Sequence, residues 1–318
     1  MKNISSLCSA LLLLALTGCG DQPESAGTSA DVMDPQTSTA ANVVEFRAVG
    51  MTFEGPSTQP AGRTTFRFEN SSGMLHFGML DFPPPGITAA QLDPVMTLFQ
   101  VAMDAMNAGD QDAANAAFAQ FPAWMADLGR RGGPGFLSPG LTGETTVFLE
   151  PGFYILECYV KSGGRFHTTS PGPGIYGMIF EIEVTEETTG AVEPEANATV
   201  VIRNNGFRHT DGEFIAGRNT IRVVFEEQQA FPSVVGNDLH IMKMESDEHL
   251  EAVANWMDWR KPRGLETPAP ATFLGGVNDL PAGSTAYVTV DLAPGDYAFI
   301  AEVPDPVGTG LVMPFTIE

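Results

Sequence analysis

The chain of 318 residues carries 34 Gly, 24 Pro and only 17% charged side chains, which excludes a coiled coil, a helical solenoid and a disordered tail protein. At 43% hydrophobic it buries a sizeable core, and its length predicts two domains of about 130 to 150 residues. Sixteen Lys and Arg against 39 Asp and Glu give a formal net charge of −23, which repels phosphate backbones and rules out a nucleic-acid partner. The acidic residues are spread along the chain, as on a solvated surface.

In chain order, Lys2 precedes an apolar run from Leu11 to Leu16 that is far too short to span a bilayer as a mature helix. The run ends in Leu16-Thr17-Gly18-Cys19, which resembles the bacterial lipoprotein cleavage box. That resemblance makes residues 1–18 a signal peptide and Cys19 the lipid-modified N-terminus of the mature chain. Gly20 follows Cys19 where the inner-membrane retention signal has Asp, so the expected location is the cell envelope, lipid-anchored, at the outer membrane and facing the periplasm. Cys8 leaves with the signal peptide and Cys19 carries lipid, so Cys158 is the one free thiol of the mature chain. In an oxidising compartment such a thiol is buried or bound to metal.

Residues 19–42 read as a flexible tether, poor in large apolar side chains, that holds the fold on the order of 25 Å from the membrane. Two strand-rich segments follow, 43–185 and 199–318, separated by a polar linker over 186–198. They repeat one set of landmarks. Ala61-Gly62-Arg63-Thr64-Thr65-Phe66-Arg67 is echoed by Ala216-Gly217-Arg218-Asn219-Thr220-Ile221-Arg222. A strand toward His76 is echoed by one toward His240, and Pro151-Gly152-Phe153-Tyr154 by Pro294-Gly295-Asp296-Tyr297. Met178-Ile179-Phe180 is echoed by Met313-Pro314-Phe315. Between these landmarks each segment inserts a helical stretch, marked by Trp124-Met125 and Trp256-Met257. The pattern predicts a mainly β protein of two duplicated Greek-key β-sandwiches, with His76 over His240 and Cys158 over Ala301.

The order of histidine strand, Pro-Gly turn and cysteine strand resembles the cupredoxin-like fold, in which one histidine and a later cysteine, histidine and methionine bind one copper ion. The resemblance implies His76, Cys158, His167 and Met178 as ligands, and a degenerate second copy in which Ala301 replaces the cysteine. Two imidazoles and a thiolate are the soft trigonal set that copper prefers, with a weak axial thioether. The spacing departs from the family's short loop: eight residues separate Cys158 from His167 and ten more lead to Met178, so Ser170-Pro171-Gly172-Pro173-Gly174 either returns His167 to the cysteine or holds it away. The residues alone leave each of the four open as core side chains. His209 and His249 lie in polar surroundings and are read as surface residues, and Arg130-Arg131-Gly132-Gly133-Pro134-Gly135 as a flexible loop.

No Gly-x-Ser-x-Gly elbow, phosphate loop, His-Glu-x-x-His or dinucleotide fingerprint occurs, so no enzyme activity is expected. Two functions remain: an anchored copper protein serving a redox or copper-donor partner, and a metal-free envelope binding or scaffold module. The anchor is testable by itself. Cys19→Ala should release the protein from the membrane fraction, and unchanged retention would overturn the lipoprotein reading.

Overall fold

The computed structural model describes residues 41–172, 175–231 and 235–318, so the signal peptide, Cys8, Cys19 and most of the tether lie outside the described residues. The strands form where burial alternates. Val43–Val49 buries every second residue, and Gly217–Phe225 turns Asn219, Ile221, Val223 and Phe225 inward. In the first half, Val43–Val49 runs parallel to Thr58–Asn70, which pairs antiparallel with Thr142–Leu149. The facing layer places Gly152–Glu157 between Ile179–Thr188 and Met79–Phe82, both antiparallel to it.

The second half repeats this order strand for strand. Ala198–Arg203 runs parallel to Gly217–Phe225, which pairs antiparallel with Thr285–Leu292. Gly295–Ile300 lies between Val312–Ile317 and Leu239–Lys243. Both Pro-Gly strands begin with the same tie, Tyr154 Oη donating to the Glu150 carbonyl at 2.9 Å and Tyr297 Oη to that of Ala293 at 2.8 Å. The protein is therefore mainly β, two β-sandwiches of one strand order, as the landmarks imply. Strand Ile179–Thr188 runs three residues into the expected linker, and Ala198 opens the next strand.

The two halves are joined, because Thr142–Leu149 pairs with Thr285–Leu292, Thr145 opposite Val288, and one sheet continues across both. Two expected equivalences are corrected. The histidines are not equivalent. Counted from Tyr154 and Tyr297, Glu157 matches Ile300; Met79 faces the first and His240 the second, so His240 takes the place of Met79. Likewise the Cys158 amide donates to the Met178 carbonyl and the Ala301 amide to that of Leu311, so Met178 matches Leu311, not Met313, while Cys158 does match Ala301. Leu239–His240–Ile241–Met242 is buried on both faces, and such a run carries no alternation to set its register.

Each half carries its helical insert between the expected landmarks, but Trp124-Met125 does not mark the first. That pair sits in a short 3-10 turn, Ala123–Asp127, while the principal helix is Ala89–Asn107, capped by Thr88, whose own amide donates to Gln91 Oε1. The second insert, Asp247–Trp256, starts at the Ser246 cap. No helix among the described residues is long and apolar enough to cross a membrane.

The glycine-rich stretch is not a free loop. Gly132–Leu137 is buried and runs between the halves: Gly132 N bonds Asp279 O, Gly135 N bonds Gly276 O, and Gly78 N and Leu80 N bond Pro134 O and Gly132 O. Asn278 Nδ2 adds bonds to the carbonyls of Gly78 at 3.1 Å and Pro134 at 3.0 Å. Gly133 has φ +101°, and a Cβ there would lie 2.2 Å from the Gly78 carbonyl oxygen. A second tie comes from Lys161, whose buried ammonium donates to the carbonyls of Trp259 at 2.9 Å and Lys261 at 2.8 Å, just past the C-terminus of helix Asp247–Trp256. Gly133→Ala is expected to cost ~1–3 kcal/mol of stability in urea unfolding, since both strain and close approach oppose it; a wild-type midpoint would show that the seam does not need this glycine.

Candidate metal centre

Cys158 follows directly on strand Gly152–Glu157, where its amide is held by Met178 O at 3.2 Å. His76 precedes strand Met79–Phe82 and exchanges backbone bonds with Leu137 at 3.2 and 2.8 Å. The turn before it is tied by the buried Asn70, whose amide nitrogen donates to Met74 O and Leu137 O, each at 2.7 Å. His167 closes a small hairpin, its amide donating to Val160 O at 2.9 Å and its carbonyl accepting from Met178 N at 2.7 Å. That hairpin rests on helix Ala89–Asn107. Gln100, buried in the helix, accepts from Phe166 N at 2.8 Å and donates to Gly164 O at 3.1 Å.

These elements bring three donors together. Cys158 Sγ lies 3.5 Å from His76 Nδ1 and 3.9 Å from His167 Nδ1, and all three atoms lie within 4.8 Å of one another. The His167 ring thus stands beside the cysteine, while Pro173 and Gly174 of the loop that follows lie outside the described residues. Met178 is buried, and its backbone bridges Cys158 and His167, which sets its Cα beside both. Ligand bonds of about 2 Å meeting near 120° separate donor atoms by roughly 3.6 Å, so the trio fits a single ion in trigonal coordination.

The tautomer of His167 is set by a chain of hydroxyls. Thr267 Oγ1 donates to Lys161 O at 3.0 Å, so it accepts from Ser162 Oγ at 2.8 Å. Ser162 Oγ, which also lies 3.2 Å from Met74 Sδ, is bonded to His167 Nε2 at 2.9 Å. With the ring proton on Nε2 and donated to Ser162, the Nδ1 lone pair faces Cys158. Thr267 belongs to the second half, so the two halves share the shell around this centre.

His76 and Cys158 are fully buried and His167 is 1% exposed. Burial pushes the His76 imidazole down to about 4, the nearby Gly50 carbonyl opposing. Burial and the His76 ring push His167 down to about 3. The Cys158 thiol is pushed up to about 12 by burial, with the backbone at Phe77 and Val160 opposing. At neutral pH the unligated trio is therefore two neutral imidazoles and a protonated thiol.

A second buried group in the other half, Asp238, His240 and Glu302, also brings three donors within 4.8 Å. Its histidine has no lone pair to give. His240 Nδ1 accepts from Phe136 N at 3.1 Å, so Nε2 carries the proton and donates to Asp238 Oδ2 at 3.0 Å. Glu302, whose amide donates to Asp238 Oδ1 at 2.7 Å, accepts from Tyr159 Oη at 3.0 Å. Burial, reinforced by Asp238 and Asp279, holds the Glu302 carboxyl well above the usual range. By strand register Asp238, His240 and Glu302 stand where Phe77, Met79 and Tyr159 stand in the first half, so this hydrogen-bonded knot is not at the place of the metal trio, whose His76 and Cys158 correspond to Asn237 and Ala301. Of the remaining histidines, His209 is exposed as expected, whereas His249 is half-buried and bonded to Glu245 N and Pro270 O.

Gln100, Ser162 and Thr267 carried no signal in the sequence, because each acts across a distance of 64 residues or more in the chain or through a hydroxyl with no motif around it.

No protein-family model and no curated protein matches the chain. Solved structures do. The dithionite-reduced auracyanin of Roseiflexus castenholzii is 14% identical, over 38% of this chain and 94% of its own, with a TM-score of 0.27. Auracyanin A, a "blue" copper protein of Chloroflexus aurantiacus, is 19% identical over 46% of this chain and all of its own, also at 0.27. A copper nitrite reductase of Nitrosomonas europaea is 10% identical over 88% and 94% of the two chains, at 0.21.

Proposed function

We propose that the protein is an envelope-anchored, cupredoxin-like electron carrier that binds one copper ion through His76, Cys158 and His167, with Met178 as the weak axial ligand. The observation that carries this reading is the convergence of one sulfur and two imidazoles, with Cys158 Sγ 3.5 Å from His76 Nδ1 and 3.9 Å from His167 Nδ1. The donor chemistry supports copper: a thiolate with two imidazoles is a soft set that hard cations avoid. When bound, the ion would supply a one-electron couple. The chain would supply the rigid donors, the excluded water and the fixed His167 tautomer. All three donors are buried, which favours electron transfer over catalysis at this centre. Lipid on Cys19 would hold the protein at the outer membrane, within reach of a redox or copper-donor partner.

The protonation states give the test its shape. Between the histidine values near 4 and 3 and the thiol near 12, only the Cys158 proton must leave when metal binds. Copper(II) titrated into the mature protein should give strong visible thiolate-to-copper absorption at one equivalent. Affinity should rise about tenfold per pH unit between about pH 5 and 8, with one proton released per ion. Cys158→Ser should abolish the colour while circular dichroism stays that of a folded β protein. A folded wild type that stays colourless with copper would leave the trio as core residues and favour the metal-free scaffold.

A further inference from the structure

On the other side of the Cys158 segment lies a cavity of about 610 Å³ that the metal reading does not use. Side chains alternate along an extended chain, so Glu157 and Tyr159 face it while Cys158 faces the trio, and Thr168 faces it while His167 does not. Its volume is that of a small-molecule site. Met96, Phe99 and Phe121 of the first half and Trp259 and Leu280 of the second form an apolar wall.

Hydrogen-bond acceptors gather at one end. Glu157, 3% exposed, has Oε2 without a partner among the described residues, and Thr168, fully buried, has Oγ1 in the same state. Both line the cavity, as does Asp279, whose Oδ2 accepts from Gly236 N at 3.1 Å. One cation faces them, Arg130, and it is bound to the buried Asp81 and lies 3.7 Å from Glu157. Three carboxyl groups around one guanidinium leave this end short of donors and of positive charge.

We propose that the cavity is a binding site for a small organic ammonium with an aromatic or alkyl body, its head group donating to Glu157 Oε2, Asp279 and Thr168 Oγ1. The body lies against Phe99, Phe121 and Trp259, where an aromatic wall also favours a cation. An anion would lie against the Glu157 and Asp279 carboxyl groups, and a neutral alcohol supplies one donor where an ammonium supplies three. The site is independent of whether the trio holds copper, since neither Cys158 nor His167 lines it.

Calorimetry on the metal-free mature protein tests this with 2-phenylethylammonium, 2-phenylethanol and phenylacetate as probes. The ammonium should bind with a stoichiometry of one, the alcohol at least tenfold more weakly and the carboxylate not at all. Glu157→Gln should weaken the ammonium at least tenfold, as loss of a charge-assisted bond does. Ala126→Trp, placed on the exposed rim of the cavity, should block entry without disturbing the core and abolish binding. If Glu157→Gln fails to fold, Ala126→Trp decides alone. Absence of ammonium binding to the wild type, equal binding of the three probes, or binding unchanged in Ala126→Trp would overturn the proposal.

Discussion

A thiol and two imidazoles share one buried space in this protein, and none of the three is charged there at neutral pH. Burying ionisable groups together is tolerable only if each stays neutral or finds a counter-charge. The chain meets that constraint by holding the rings through their outer surroundings and leaving their inner nitrogens toward the sulfur. Ser162 accepts the His167 proton, and Asn70 ties the turn that carries His76. Such an arrangement favours the arrival of an ion that takes the thiol proton's place.

The rest of the architecture serves that geometry from both halves. Helix Ala89–Asn107 holds the His167 hairpin through Gln100, and the second half contributes Thr267 to the hydroxyl chain. Lys161, one residue before Ser162, is anchored on the carbonyls that follow the second half's helix. Gly132–Leu137, threaded between the sandwiches, gives His76 its backbone partner through Leu137 and gives His240 its donor through Phe136. One seam thus positions the metal trio in one half and the His240 knot in the other.

Much of this was legible in the sequence, for physical reasons that differ by residue. The Pro-Gly turns and alternating strands announce themselves because turn chemistry and burial period are local, and Tyr154 and Tyr297 make the same bond in both copies. Cys158, His76 and His167 stood out as chemistry without another use. The errors arose where local pattern is silent. His240 was placed over His76 because a strand buried on both faces has no alternation, and Met313 was matched to Met178 by resemblance of neighbours rather than by hydrogen-bond register. The glycine run read as flexible because glycine serves a close approach as readily as a free loop, and only the Gly78 carbonyl beside Gly133 distinguishes the two. The continuous sheet was invisible because Thr142–Leu149 and Thr285–Leu292 are each ordinary strands, and nothing in either names its partner.

The central claim is that one ion is held jointly by Cys158, His76 and His167. X-ray absorption at the copper edge of the loaded protein tests it most directly. One sulfur and two nitrogen scatterers should occupy the nearest shell, with the sulfur gone in Cys158→Ser. A nearest shell of nitrogen and oxygen alone in the wild type would place the copper elsewhere and contradict the account.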